Sequence, residues 1–211
     1  MPQDDPDFAA LTGSRICHDL ASPVGAALTG LEFLSGAPGG ANPDEMALLR
    51  DSLTGARATL EMLRLAFGRS GTGAALDATA LGTTVRGHLA ARPRLRLDWA
   101  LDGPLGRAAA QHLALAILCV IHALPRGGTL TVARAGANGV RVAALGADES
   151  DLAAEPALWD GLAGRAAMPA PDPRRVEFHL LAARIACGDA RIDITRAAQS
   201  LMTILLRPAQ D

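Results

Sequence analysis

The sequence of 211 residues contains no lysine and no tyrosine, and aromatic residues make up only 3% of it. With so few aromatic side chains, a surface that stacks nucleobases is not expected. The formal net charge of -2 argues in the same direction, because nucleic-acid-binding proteins carry basic patches. Hydrophobic residues make up 49% and charged residues 20%, which is typical of a globular chain.

Cysteine is also scarce, with only Cys17, Cys119 and Cys187, far apart in the sequence. An odd number without metal-ligand spacing predicts neither a disulfide framework nor a zinc site, and fits a reducing cytoplasm. The polar, acidic N-terminus does not resemble a signal peptide. The longest apolar run, residues 113–124, is too short to cross a bilayer. We therefore expect a soluble, cytoplasmic protein without a membrane partner.

The segment RICHDLASPVG (residues 15–25) places His18 and Asp19 in a strong helical pattern that also contains Pro23. Apolar or small residues recur at alternating steps of three and four, which predicts a helix over about residues 7–34, buried along one stripe. The members of this stripe are Cys17, Leu20, Val24, Ala27, Leu31 and Leu34. His18 lies beside the stripe, on a face of small residues: Ala21, Ser22, Gly25 and Thr29. This setting fits either a surface histidine or a reactive histidine that must meet another protein.

A second helix is predicted to begin after the cap Asn42, with Pro43 in its first turn and Glu45 completing a capping box. Its apolar stripe repeats without a break until Gly68. The stripe consists of Met46, Leu49, Leu53, Ala56, Leu60, Leu63 and Phe67. The loop over residues 35–41 joins the two helices into an antiparallel hairpin.

Two such stripes favour pairing with a second copy, so we predict a homodimer that forms a four-helix bundle through residues 7–69. Packing of both helices on the rest of the chain is the alternative. Arg50, Arg57 and Arg64 recur every seven residues beside the second stripe. They form either a solvated face with local pairs such as Glu61–Arg64, or a basic strip that attracts an acidic partner.

The Gly-rich residues 69–75 read as a linker, which divides the chain into residues 1–70 and 76–211. The second part is predicted to contain helices over about 79–91, 105–124 and 174–187, and a long loop with a short helix over 146–172. Strands are predicted at 95–101, 129–134, 140–145, 191–196 and 200–207, the last four as two hairpins. This mixture predicts a two-layer α/β sandwich with one helical face. Its four scattered histidines read as core-edge or surface residues: His88, His112, His122 and His179.

This order of parts resembles the core of sensor histidine kinases, in which a dimerisation and phosphoacceptor hairpin precedes an ATP-binding domain of the GHKL type. RICHDL (15–20), SPVG (22–25) and IHALPRGGTL (121–130) more closely resemble the ChpT family of alphaproteobacterial histidine phosphotransferases. The resemblance covers essentially the whole chain.

The sequence departs from an active kinase at three places. The two asparagine positions that hold magnesium and ATP fall on Leu115 and Cys119, and Mg²⁺ prefers oxygen ligands. The Asp-x-Gly-x-Gly loop has only ALGAD (144–148) as a remnant, and MPAPDP (168–173) stands before the last helix instead of a glycine-rich lid. Prolines have no N–H to offer a phosphate. We therefore expect a degenerate GHKL-like sandwich that does not bind ATP.

The resemblance implies that His18 is a phosphoacceptor, which relays a phosphoryl group between response-regulator receiver aspartates in a multistep phosphorelay. It implies receivers of a CckA-like hybrid kinase and of CtrA-like and CpdR-like response regulators as partners. The receiver supplies Mg²⁺, so no cofactor is expected on this chain.

Several supporting residues follow from this reading. Asp19 is expected to orient the imidazole, and Arg15 either meets the phosphoryl charge or is a surface charge. The expected docking residues are Ala21, Ser22, Gly25, Thr29, Arg50 and Arg57. An ATP-dependent histidine kinase and a non-enzymatic dimeric receiver-binding scaffold are the alternative functions.

Overall fold

The computed structural model describes residues 7–36, 42–68, 74–147, 155–198 and 201–208. The N-terminal hairpin consists of α1 (Phe8–Gly36), with Pro23 inside it, and α2 (Pro43–Phe67). The capping box of α2 is confirmed, since the Asn42 side chain accepts from the backbone N–H of Asp44 and the Glu45 carboxylate accepts from that of Asn42. Most of the two predicted connectors, 35–41 and 69–75, lies outside the described residues.

The rest of the chain adds a mixed sheet covered by helices. Its helices are α3 (Ala78–Leu89), α4 (Arg107–Ala123), α5 (Pro156–Leu162) and α6 (Val176–Ala186), with a 3₁₀ turn at Pro173–Arg175. Its strands are β1 (Leu76–Asp77), β2 (Leu95–Ala100), β3 (Pro104–Leu105), β4 (Gly128–Ala135), β5 (Gly139–Gly146), β6 (Ala190–Ala198) and β7 (Leu201–Pro208). The predicted class, helices with a mixed sheet, is confirmed.

The main sheet has the order β2-β4-β5-β7-β6, in which only the β2–β4 pair is parallel. The predicted hairpins β4–β5 and β6–β7 are present. The short antiparallel pair of β1 and β3 was not predicted, because two residues per strand carry no periodic signal. Alternate residues of β5 and β7 are buried beneath α4, which gives the sandwich its helical layer.

The core is centred on α4, whose residues 110–120 are all buried. The C-terminal half of α2 belongs to the same core, since Met62, Leu63 and Ala66 are fully buried and α2 packs on α3 and α4. Gln111 fastens this contact by donating to the carbonyl oxygens of Ala66 and Gly68. For this half of α2, the alternative to the bundle, in which the hairpin helices pack on the rest of the chain, is therefore correct.

Outside this contact, large apolar side chains on both helices of the hairpin remain exposed. We call this surface the apolar tip, and it consists of Val24, Leu28, Leu31, Phe33, Met46, Leu48, Leu53 and Leu60. Five of its members belong to the two predicted stripes. None of the described helices is both long and apolar enough to span a membrane.

The prediction for the scattered histidines was largely wrong. The side chains of His88, His112 and His179 are buried, and only His122 is partly exposed. Burial lowers the pKa of each of the four, in the case of His88 to about 4. Each therefore stays neutral near pH 7, which is why the interior tolerates it.

Candidate functional site

His18 stands in the first half of α1, and 63% of its side chain is exposed. The four small residues of its face, Ala21, Ser22, Gly25 and Thr29, are also exposed. At Gly25 an added Cβ would meet no atom within 4 Å. The imidazole therefore lies on an open, flat part of the helix that a folded partner can approach.

The orientation of the imidazole is fixed by its neighbour in the chain. His18 Nδ1 lies 3.0 Å from Asp19 Oδ1, and the Asp19 side chain is only 13% exposed. Because an ionised carboxylate only accepts hydrogen bonds, Nδ1 is the protonated nitrogen in this contact. The lone pair is then on Nε2.

Arg15 is held one helical turn before Asp19. Its Nε lies 3.0 Å from Asp19 Oδ2, its Nη2 lies 3.7 Å from Glu177 Oε1, and its Nη1 donates to the carbonyl oxygen of Arg174. Its side chain is only 14% exposed, so the interpretation of Arg15 as a surface charge was wrong. Arg15 instead connects α1 with the start of α6.

Glu177 is the residue of this site that the sequence analysis missed. Its side chain is fully buried, and neither carboxylate oxygen has a hydrogen-bond partner among the described residues. Burial raises the pKa of Glu177 to about 7, and Arg15 opposes that rise. An acid between the buried Val176 and Phe178 is a weak sequence signal, because it does not reveal which helix the carboxylate faces.

Two further helices bring charged or titratable groups to the same junction. Arg92, just after α3, places its Nη1 3.4 Å from His88 Nε2, and both side chains are within the electrostatic influence of Asp19 and Arg15. On α4, burial and the charge of Glu177 raise the pKa of the Cys119 thiol. The environment of His18 is thus built by α1, α3, α4 and α6 together.

The two residues at the expected nucleotide-binding positions are part of the core. Leu115 is 1% exposed and Cys119 is 0% exposed, and both belong to the central cluster around α4. Among the described residues, no group of three or more His, Cys, Asp or Glu could hold a metal ion.

Arg50 and Arg57 lie apart from the His18 cluster, on the exposed side of α2. With Met46, Leu49, Leu53 and Thr54 they line a groove of about 450 Å³ formed by α2 residues alone. Arg57 Nε lies 3.8 Å from Glu61 Oε1, so the local ion pair is Arg57–Glu61 rather than Glu61–Arg64. Such an exposed pair contributes at most about 0.5 kcal/mol, which leaves Arg57 free to change partners.

A comparison with protein families matches residues 79–199 to the family of the histidine phosphotransferase C-terminal domain. The chain belongs to this family. It is also 38% identical over 127 residues to the protein phosphotransferase ChpT of Brucella abortus (strain 2308), an alignment that covers 60% of each chain. The match thus spans less than two thirds of that relative's length. The resemblance to the ChpT family drawn from residues 15–25 and 121–130 is confirmed.

A solved structure extends the comparison to nearly the whole chain. The 1.7 Å structure of a bacterial phosphotransferase is 27% identical and has a TM-score of 0.77 to this chain. The superposition covers 95% of this chain and 96% of the other. The arrangement of helical hairpin and sandwich is therefore shared with that relative.

The buried Glu177 predicts a pH-dependent difference in stability between the wild type and Glu177→Gln. Its pKa is about 7 in the folded protein against an ordinary 4.5, so the folded state binds the extra proton and stability falls as pH rises through this window. The pKa of His88 is about 4 in the folded protein against an ordinary 6.5, so its contribution to stability rises with pH between 4 and 6.5. Both proteins contain His88, so this contribution cancels when their stabilities are compared. We expect the variant to be more stable by about 3 kcal/mol at pH 8.

Urea unfolding of both proteins at pH 4.5 and pH 8 measures this difference. The gap should fall to within about 0.5 kcal/mol at pH 4.5, where Glu177 is protonated in the folded wild type and half protonated in the unfolded one. An equal gap at both pH values would contradict the prediction, since it would show that ionisation of Glu177 is not its cause.

Proposed function

We propose that this chain is a cytoplasmic histidine phosphotransferase that relays a phosphoryl group between receiver aspartates of a multistep two-component phosphorelay, without binding ATP. The observation that carries the proposal is the exposed His18 imidazole, whose Nδ1 is held by Asp19 so that the Nε2 lone pair is available. Membership of the histidine phosphotransferase family supports it. The proposed donors and acceptors are receivers of CckA-like, CtrA-like and CpdR-like proteins.

In the proposed step, His18 Nε2 attacks the phosphorus of a receiver aspartyl phosphate. The N–P bond forms as the bond between phosphorus and the aspartate oxygen breaks, which returns the receiver aspartate as a carboxylate. The proton on Nδ1 stays in place, and the Asp19 carboxylate balances the positive charge that develops on the ring. Mg²⁺ carried by the receiver neutralises the phosphoryl oxygens. The reverse step loads a second receiver.

The surface around His18 suits such a partner. A receiver must bring the phosphorus of its aspartyl phosphate to within about 3–3.5 Å of Nε2, and the small face of Ala21, Ser22, Gly25 and Thr29 leaves room for that approach. The exposed Arg50 and Arg57 on α2 are proposed to attract an acidic surface of the receiver.

The absence of ATP binding is proposed from the residues at the kinase positions. Leu115 and Cys119 present no oxygen ligand and are enclosed in the core. The segment before α6 ends in the 3₁₀ turn Pro173–Arg175 and contributes Arg175 to ion pairs with Glu155 and Asp172. These features favour the phosphotransferase over the alternative of an ATP-dependent kinase.

The active form is proposed to be a homodimer in which the apolar tips of two hairpins form a four-helix bundle. The apolar tip contains eight large exposed hydrophobic residues on two adjacent helices, whereas single scattered ones are normal on a monomer surface. A second copy supplies a matching surface at the same helical spacing, which an isologous bundle requires.

The test is a comparison of phosphoryl donors. The protein is incubated with ³²P-labelled ATP and Mg²⁺ alone, and separately with a candidate receiver that its own kinase has labelled and that has been freed of ATP. We expect label on this chain only in the second reaction, as an acid-labile phosphohistidine. Labelling from ATP alone would support the kinase, and receiver binding without any labelling would support the scaffold.

A further inference from the structure

We infer that Glu177, on the sandwich helix α6, is a positioning residue for His18 and acts on it through Arg15 and Asp19. The effect on transfer rests on the proposed function, whereas the effect on the imidazole itself does not. The inference concerns a residue of the C-terminal part of the chain that does not touch the phosphoacceptor.

A continuous series of polar contacts leads from α6 to the imidazole. Glu177 Oε1 lies 3.7 Å from Arg15 Nη2, Arg15 Nε lies 3.0 Å from Asp19 Oδ2, and Asp19 Oδ1 lies 3.0 Å from His18 Nδ1. The guanidinium is kept in place by its bond to the Arg174 carbonyl oxygen. A rigid, planar guanidinium lies between the two carboxylates, so a change in the charge of one carboxylate alters how strongly the guanidinium neutralises the other.

The charge balance of this series gives the direction of the effect. Arg15 carries one positive charge and stands between two carboxylates. When Glu177 is ionised, Arg15 cannot fully neutralise both acids, so Asp19 keeps more negative charge with which to hold the Nδ1 proton. When Glu177 is neutral, Arg15 neutralises Asp19 and weakens this hold. An ionised Glu177 therefore favours the tautomer whose lone pair is on Nε2.

The burial of Glu177 is difficult to explain as a contribution to stability. Neither oxygen has a hydrogen-bond partner among the described residues, and a buried charge without such partners destabilises a fold. A polar residue that is kept at a cost in stability is typical of functional sites. The position of Glu177 against Arg15 supplies that functional reason.

The charged and titratable groups around Glu177 come from every neighbouring helix. Arg15 and Asp19 face it from α1, Arg175 from the 3₁₀ turn and Cys119 from α4, while His88 and Arg92 act on Arg15 and Asp19 from the side of α3. At pH 8.5, above its pKa of about 7, Glu177 is ionised.

The experiment measures the His18 tautomer by ¹⁵N NMR of the imidazole at pH 8.5, with the signals assigned by their loss in His18→Ala. In Glu177→Gln we expect the ratio of the Nδ1–H to the Nε2–H tautomer to fall roughly threefold to tenfold. The matched control is Glu155→Gln, which removes an acid whose hydrogen bonds and ion pairs among the described residues are with Arg175 and His122 rather than with α1. This control should keep the wild-type ratio.

An unchanged ratio in Glu177→Gln, or an equal fall in Glu155→Gln, would overturn the inference. The NMR measurement needs no receiver, so it separates the two proposals. If the ratio falls but label never reaches His18, the proposed function fails and the inference stands. If label reaches wild-type His18 while the ratio is unchanged, only the inference fails. Transfer from a labelled receiver to Glu177→Gln should slow by a similar factor.

Discussion

Replacing His18 with alanine is expected to abolish phosphoryl transfer and to leave the fold intact. The variant loses the nucleophilic nitrogen, and removal of a nucleophile lowers rates by at least about a thousandfold. The side chain is 63% exposed and packs against little, so its loss should not change the free energy of unfolding by more than about 0.5 kcal/mol. The measurement is the rate at which label moves from a phosphorylated receiver, with circular dichroism as the check on folding.

Cys17 provides the matched control, because it is the preceding residue of the same helix and is also exposed. The variant Cys17→Ala should transfer phosphate at the wild-type rate, since its thiol has no place in the proposed chemistry. Label that still arrives on His18→Ala would place the phosphoacceptor elsewhere in the chain. Loss of transfer in both variants would point to disturbance of the helix surface rather than to the imidazole.

Replacing Leu53 with aspartate is expected to dissociate the proposed homodimer into folded monomers. Leu53 is 53% exposed, so the monomer loses little packing when it is replaced. In a symmetric bundle each interface would contain two new carboxylates, and burial of each costs on the order of 1–3 kcal/mol without a partner. The dissociation constant should therefore rise about a hundredfold or more, as measured by analytical ultracentrifugation.

Leu145 offers the control for this variant. It is a leucine of similar exposure, 48%, but it lies on strand β5 and outside the hairpin. The variant Leu145→Asp should remain as dimeric as the wild type. A wild-type chain that sediments as a monomer at micromolar concentration would contradict the bundle, and equal dissociation of both variants would place the interface on another surface.

The elements that the sequence predicted well are those with local signals. The start of α2 was correct because Asn42 and Glu45 satisfy each other's backbone groups within four residues. The turn between β4 and β5 was correct because its glycines at 136 and 139 are close in the chain to both strands. His18 and Asp19 are adjacent, so their contact was also within reach of the sequence.

The features that were missed depend on distant parts of the chain. Nothing local indicates that β2 pairs in parallel with β4, and nothing local places Glu177 against Arg15. The burial of His88 has the same origin, because it depends on α2 covering α3. The stripe of α2 showed which face is apolar but not that Leu63 packs on the sandwich while Met46, Leu53 and Leu60 stay exposed.

The bond from Arg15 to the Arg174 carbonyl joins positions 159 residues apart. During synthesis on the ribosome, α1 emerges long before its partner at the start of α6. Closing so long a loop costs chain entropy, which the burial of the sandwich core must first offset. The helix that bears His18 thus forms early, but the surroundings that hold Arg15 and Asp19 are completed late in folding. An unfinished chain therefore exposes its histidine without the groups that orient it, and full competence for the proposed transfer is acquired only when the last helix has been added.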